Sequence, residues 1–186
     1  MTALQTPPID YSMNAIDFIL RDVSGKMVAL NDFKNKGLNG LVVAFICNHC
    51  PYVLAIIDKI VKDADELQKK NIGFVAIMPN DYDSYPQDSF DNMIIMSKEK
   101  KFCFPYLLDD TQEIARSYGA VCTPDFFGFD KDFHLIYRGR LDDSGMKINN
   151  SSTRDLFNAM LTLVDGGRPN AKAQFPSIGC SIKWRV

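Results

Sequence analysis

The chain has 186 residues, with 21 Lys and Arg against 23 Asp and Glu, for a formal net charge of −2 at pH 7. Hydrophobic residues make up 46% and aromatics 11%, which excludes a disordered chain. The near balance of charge excludes a concentrated basic face, and with it nucleic acid or an anionic membrane surface as the main partner.

In chain order, Leu4-Gln5-Thr6-Pro7-Pro8 reads as an extended lead-in. Phe18-Ile19-Leu20, a turn around Val23-Ser24-Gly25-Lys26, and Met27-Val28-Ala29-Leu30 form an N-terminal β-hairpin signal. Leu41 to Ile46 is a continuous apolar run of strand length, as expected where helices cover both faces of a sheet. Val53, Ile56, Ile57, Ile60, Val61, Ala64 and Leu67 recur at helical spacing, with Asp58, Lys59, Lys62, Asp63, Glu66 and Lys69 on the solvated face. Ile72 to Met78 is a second buried strand, so strand, long helix and strand make a βαβ unit with a parallel pair.

Asp81 to Gln87 is a polar loop before a helix near 89–100, and Pro105 to Leu108 is a short strand. Asp110-Thr111-Gln112-Glu113 has capping-box spacing and opens a brief helix ending at Gly119. Asp125 to Phe129 and Leu135 to Arg138 form a hairpin around Asp130-Lys131-Asp132. The stretch from Ser152 to Asp155 caps a last helix with Leu156, Phe157, Met160, Leu161 and Val164 on its apolar face, stopped at Gly166-Gly167. The order implies an α/β fold with a mixed central β-sheet flanked by helices. A chain of this length buries roughly 70% of its extended surface, so one domain over residues 1–186 is expected, ending in an irregular C-terminal tail at 168–186.

No apolar run reaches the roughly 20 residues of a spanning helix, and the N-terminus lacks the basic start and apolar stretch of a secretory signal. Five cysteines at uneven spacing fit core residues or working thiols in a reducing compartment, and point to the cytoplasm.

Ile46-Cys47-Asn48-His49-Cys50-Pro51 lies where the first buried strand meets the long helix. Two cysteines at this spacing bracket one helical turn and can close a small disulfide loop. Unpaired N–H groups at the helix start favour a thiolate, and Pro51 is harmless in the first turn. A redox-active dithiol, a metal site and inert packing are the readings open to this pair. His49 between the cysteines stabilises a thiolate when protonated. If it and the helix end bring a thiol from ~8.5 to ~6, the thiolate fraction at neutral pH rises about 30-fold while nucleophilicity falls about 13-fold. The reduced form gains up to ~3.4 kcal/mol, about 70 mV, so His49 is expected to set redox poise more than attack rate, and His49→Pro to lower the potential. The dithiol reading requires that the two sulfurs face each other and that a partner can approach them.

Nearly the whole chain now resembles the thioredoxin-like superfamily, in its redoxin or peroxiredoxin-like branch related to alkyl hydroperoxide reductase. The resemblance rests on Ile16-Asp17-Phe18, Asp22 to Lys26, the strand leading to Cys47-Asn48-His49-Cys50-Pro51, and Val121-Cys122-Thr123-Pro124-Asp125-Phe126-Phe127. It implies a thioredoxin-like fold, with Thr123-Pro124 matching the superfamily's cis-proline against Cys47 and, with Tyr52, bordering a substrate groove. Both parent patterns are incomplete. The peroxiredoxin motif P-x-x-x-[TS]-x-x-C ending at Cys50 meets Val43 and Cys47 instead of Pro and Thr/Ser, and Thr123-Pro124 stands where that family has its peroxide-activating Arg. The thioredoxin Trp is replaced by Ile46, and its buried Asp is missing from the apolar strand.

The balance favours a thiol-disulfide oxidoreductase with Cys47 attacking and Cys50 resolving, no cofactor, and a protein or small-molecule thiol or disulfide as partner. Alternatives are a thiol peroxidase reducing hydroperoxides with Cys50 or Cys47, and a copper- or zinc-binding assembly factor that would draw its histidine from His49 and His134. Cys122 reads as a core cysteine or an additional redox thiol, and Cys180 as a tail thiol or a resolving one. Cys103 reads as core and His134 as a surface residue. The loop from Asp81 to Pro86 is a candidate border of the active site. Arg138 and Arg140 are either solvent-exposed or carboxylate-binding. Monomer and dimer are both open.

Overall fold

The structure is a computed structural model that describes residues 2–147, 152–171 and 174–185. Its centre is the parallel pair β4 (Gly40–Phe45) and β5 (Ile72–Met78), both buried throughout, with Gly40 opposite Ile72 and Phe45 opposite Ile77. Side chains alternate across a strand, so β4 feeds two cores. Val42 and Ala44 pack into one apolar cluster that also contains Cys47, Cys50, Ile57, Ile60 and Met160. Leu41, Val43 and Phe45 pack on the other side with Phe33, Tyr118 and Phe127.

The remaining elements are β1 (Ala3–Gln5), β2 (Ile19–Asp22), β3 (Met27–Ala29), α1 (Leu30–Lys34), α2 (Pro51–Leu54), α3 (Ile57–Gln68), a 3-10 turn at Pro86–Asp88, α4 (Phe90–Glu99), β6 (Tyr106–Leu108), α5 (Glu113–Ser117), β7 (Cys122–Thr123), β8 (Asp125–Asp130), β9 (Leu135–Gly139), α6 (Asp155–Leu161) and β10 (Ile178–Ser181). Seven strands form a mixed sheet in the order β3-β2-β6-β5-β4-β8-β9. The β5–β6 pair is parallel, while β2–β3, β2–β6, β4–β8 and β8–β9 are antiparallel. This is the expected mixed sheet with the expected N-terminal hairpin. Among the described residues, no helix is long and apolar enough to cross a membrane.

Several local expectations are corrected. The long helix is two: Ile56, with φ −120° and ψ 3°, leaves helical geometry between α2 and α3. The apolar stripe Val53, Ile57, Ile60, Ala64 and Leu67 stays buried across this break, which is why periodicity does not reveal it. Each buried Ile or Leu on that stripe contributes about 1.5–3 kcal/mol before chain entropy is counted. Asp63 is 3% exposed, because Arg154 reaches it at 2.6 Å and draws it off the solvated face. At α5 the carboxylate that accepts the free N–H groups belongs to Asp109, from Ala115 at 2.8 Å and Ile114 at 3.4 Å, not to the Asp110–Glu113 box. Val164 is exposed, beyond the end of α6.

The C-terminal stretch is not irregular throughout. Strand β10 lies between β1 and β7 in a second, three-stranded antiparallel sheet, with Cys180 opposite both Ala3 and Thr123. Four residues drawn from a polar stretch carry too little periodicity to announce a strand whose partners are remote in sequence. Beyond β10, the Lys183 N–H donates to Asn80 Oδ1 at 2.9 Å, the Gln112 side chain binds both Lys183 and Arg185 backbone, and Arg185 pairs with Asp81, Asp83 and Asp110.

Candidate active site

The apolar run of β4 ends as the backbone reaches Cys47, and Cys50 is the N-cap of α2, in extended conformation, with Pro51 at the first helical position. Proline is preorganised for that place and lacks an N–H that would have been orphaned. On the other side of the cysteines, β7 ends in a cis Thr123–Pro124 peptide. The Cys47 Sγ and Thr123 Oγ1 are 3.3 Å apart, and the Cys50 thiol donates to the Thr123 carbonyl at 3.2 Å. The expected contact between this peptide and Cys47 is therefore present, and it extends to Cys50.

The two sulfurs lie together at the start of α2, both against Thr123, and their interaction splits their acidities. Cys50 is drawn down to about 5, first by the Cys47 thiol, then by the Cys180 thiol and the backbone N–H groups of Cys180 and Val53, against the opposing effect of burial. The Thr123 carbonyl, which accepts from the Cys50 thiol, opposes ionisation. Cys47 is pushed well up, chiefly by giving its hydrogen bond to Cys50, then by burial and the negative charge of Asp88. The lower thiol is thus Cys50, whereas the sequence led to Cys47 as the attacking one. Spacing shows that two cysteines bracket a turn, but not which of them caps the helix.

His49 takes a different partner from the one expected. Its Nδ1 is 2.7 Å from Asp88 Oδ2, close but poorly aligned for a hydrogen bond, and its ring stacks on Tyr85 with centroids 5.7 Å apart. The loop from Asp81 to Pro86 thus borders the site through Tyr85. Asp88 is fully buried and was missed in the sequence, where Pro86-Gln87-Asp88-Ser89 reads as a solvated loop. Its carboxylate accepts the Asn48 N–H at 2.8 Å and the Asn80 amide at 2.8 Å, while the Tyr106 hydroxyl donates to Asn48 Oδ1 at 2.9 Å. These bonds hold the Cys47–Cys50 loop from below, and no local pattern announces them.

Approach is a separate matter. Cys47 is 1% exposed and Cys50 0%, so the second requirement of the dithiol reading is not met in this conformation. A cavity of about 400 Å³ lies alongside, lined by Tyr52, Ile56, Pro124, Arg140, Ser177 and Ile178. It gives Tyr52 and Pro124 their expected place at a groove.

Cys180 lies near Cys50, whereas Cys122 is fully buried with its thiol toward the Pro124 carbonyl, and burial, then the charge of Asp125, raises it. Cys103 is exposed, contrary to expectation: Phe102 and Phe104 turn inward and stack with centroids 4.6 Å apart, leaving the residue between them outside. His134 is half-exposed, at the β8–β9 turn, and does not approach the cysteines. Arg138 is buried and paired with Asp125 at 2.9 Å, and Arg140 pairs with Asp155 at 2.6 Å. Cys47, His49 and Asp88 bring one donor atom each within 4.8 Å of one another, a donor set that fits zinc or copper in chemistry. Both oxygens of Asp88 are already engaged by Asn48 and Asn80.

Comparison with known proteins agrees with this architecture. An uncharacterized conserved protein of Geobacillus kaustophilus shares 41% identity, with a TM-score of 0.91 over 100% of this chain and 97% of its own. A hypothetical protein of Sinorhizobium meliloti shares 36% identity, with a TM-score of 0.92 over 98% of each chain. The thiol-disulfide oxidoreductase ResA of Bacillus thuringiensis is 26% identical over 132 residues, 69% of this chain and 68% of its own. The AhpC/TSA family model matches residues 12–138, well over half of the sequence. The chain belongs to the AhpC/TSA family, within the thioredoxin-like redoxin superfamily.

Proposed function

We propose that the protein is a thiol-disulfide oxidoreductase in which Cys50 attacks and Cys47 resolves. The observation that carries this reading is the buried Cys47–Cys50 pair at the N-cap of α2, both sulfurs against Thr123 and its cis peptide to Pro124. The oxidoreductase class has the support of the ResA relative and the family match. Cys50 forms the mixed disulfide with a protein or small-molecule disulfide, and Cys47 displaces the substrate sulfur to close Cys47–Cys50. A local opening around Tyr52 and the cavity beside Pro124 has to precede that attack, since both sulfurs are covered. Cys103, an exposed free thiol, supports placing the activity in the cytoplasm.

Peroxide reduction has less support. The groups acting most on Cys50 are thiols and backbone N–H groups, Arg138 is committed to Asp125, and Arg140, which lines the cavity, is paired with Asp155. Stopped-flow mixing of the reduced protein with a small disulfide and with hydrogen peroxide decides between these. Rapid reaction with the disulfide is expected, abolished in Cys50→Ser and kept in its first step in Cys47→Ser, which cannot close Cys47–Cys50. A faster reaction with peroxide that persists in Cys47→Ser would instead establish a peroxidase, and stoichiometric zinc or copper in the purified protein would establish the metal-binding reading.

A further inference from the structure

Cys180 has an environment that a tail thiol does not need. Strand β10 is held on both edges, by β1 and by β7, so the position of Cys180 is set by two ladders of backbone hydrogen bonds. Gly179 lies so close to the Thr123–Pro124 peptide that a Cβ there would collide with the Thr123 carbonyl. This approach brings β10 down onto α2: Cys180 lies opposite Thr123, whose carbonyl accepts the Cys50 thiol at 3.2 Å, and Cys180 shares one buried cluster with Cys47 and Cys50, close enough for its thiol to act on that of Cys50. Cys50 therefore has two thiol neighbours, Cys47 from its own loop and Cys180 from the far end of the chain.

We propose that Cys180 is a second resolving thiol, so that Cys50 exchanges disulfide partners between Cys47 and Cys180. This rests on the reading of Cys50 as the nucleophile and extends it. The Cys50 thiolate attacks a substrate disulfide R–S–S–R′, forming Cys50–S–S–R and releasing R′S⁻, which takes the Cys180 proton. Cys180 then attacks the Cys50 sulfur, the bond to R breaks, and RS⁻ leaves. The substrate disulfide is reduced by two electrons, and the Cys50–Cys180 pair is oxidised by two. Attack of Cys47 on this bond regenerates Cys180 and closes Cys47–Cys50 with no net redox change. While it lasts, the Cys50–Cys180 bond ties the start of α2 to β10 and fixes the strand over the Thr123–Pro124 peptide.

The test uses the full chain in a Cys103→Ser, Cys122→Ser background, with either Cys47→Ser or Cys180→Ser added. Each reduced protein is treated with 5,5′-dithiobis(2-nitrobenzoate), released thionitrobenzoate is counted, and disulfides are mapped by mass spectrometry. In the Cys47→Ser protein a twofold release over a single-thiol reaction, loss of the adduct and a linked Cys50–Cys180 peptide are expected. Adduct retained on Cys50 with Cys180 left free would overturn the proposal. Unsubstituted protein, trapped with acid during oxidation, gives a reading free of folding defects: a transient Cys50–Cys180 link is expected, and its absence at every time point counts against the proposal. The Cys180→Ser protein isolates the underlying reading. If it closes Cys47–Cys50 while Cys47→Ser forms no link, the dithiol stands and the second resolving thiol falls. If it fails to close, the dithiol reading falls instead.

Discussion

Changing pH perturbs the cysteine pair without altering a single side chain. With Cys50 ionised above about 5 and Cys47 still protonated, reduction of the disulfide takes up one proton with its two electrons. Below that point it takes up two. A tenfold change in equilibrium constant is about 30 mV for a two-electron couple, so the potential should fall by about 59 mV per pH unit below the break and about 30 mV per unit above it. Two pH units above the break, the thiolate stabilises the reduced form by about 2.7 kcal/mol, which places the potential near neutrality about 60 mV above that of the same dithiol with both thiols protonated. Equilibration in glutathione or dithiothreitol buffers between ~pH 4 and ~pH 8.5, followed by acid quench, alkylation and mass measurement, gives the profile. A slope that stays near 59 mV up to neutral pH would refute the assignment of a low thiol. Absorbance of the reduced protein at ~240 nm identifies its owner: the transition should survive Cys47→Ser, whose hydroxyl still donates, and vanish in Cys50→Ser.

Three substitutions probe the supports of the site. Asp88→Ala leaves the Asn48 N–H and the Asn80 amide without their acceptors and should cost about 2–5 kcal/mol in urea unfolding, and Asp88→Asn, which keeps one acceptor oxygen and sets an amide donor against the other N–H, should recover only part of it. Full stability in Asp88→Asn would show that the two acceptors are not both needed. Gly179→Ala sets a methyl against a backbone carbonyl that cannot give way, and should cost about 1–3 kcal/mol and speed hydrogen exchange at Ile182, whose N–H pairs with Val121. Unchanged exchange there would show that β10 can shift without losing its partner. Arg138→Met strands the Asp125 carboxylate, which burial already raises to about 7, and should cost about 3–5 kcal/mol. Adding Asp125→Asn should restore much of that, and a strictly additive double variant would argue against a coupled pair.

What could be read in the sequence follows from how local each signal is. Leu41–Ile46 and Ile72–Met78 announce buried strands because burial on both faces leaves no polar position. The stripe from Val53 to Leu67 shows because its spacing persists across both α2 and α3. Cys47-Asn48-His49-Cys50 and Thr123-Pro124 carry short patterns of their own. By contrast, Asp88 and Asn80 act through contacts with residues far away in the chain and look like ordinary loop polarity. The same holds for Asp63, whose burial depends on Arg154 arriving from 91 residues away. Two flanking phenylalanines suggest a core at Cys103, whereas the chain bends there and leaves the middle residue outside. That Cys50 and not Cys47 is the N-cap of α2 is likewise a backbone detail that the spacing of the two cysteines does not carry.

The small sheet closes late. Thr6 and Ser177 meet across a separation of 171 residues, and the loop entropy of such a contact is met only after the rest of the chain has condensed. On the ribosome, residues 47 and 50 therefore emerge long before their third sulfur neighbour, and they fold for a time without its cover. Newly made protein is thus most vulnerable to wrong cross-linking in that interval, and refolding from denaturant should yield more native material in a reducing buffer than in an oxidising one.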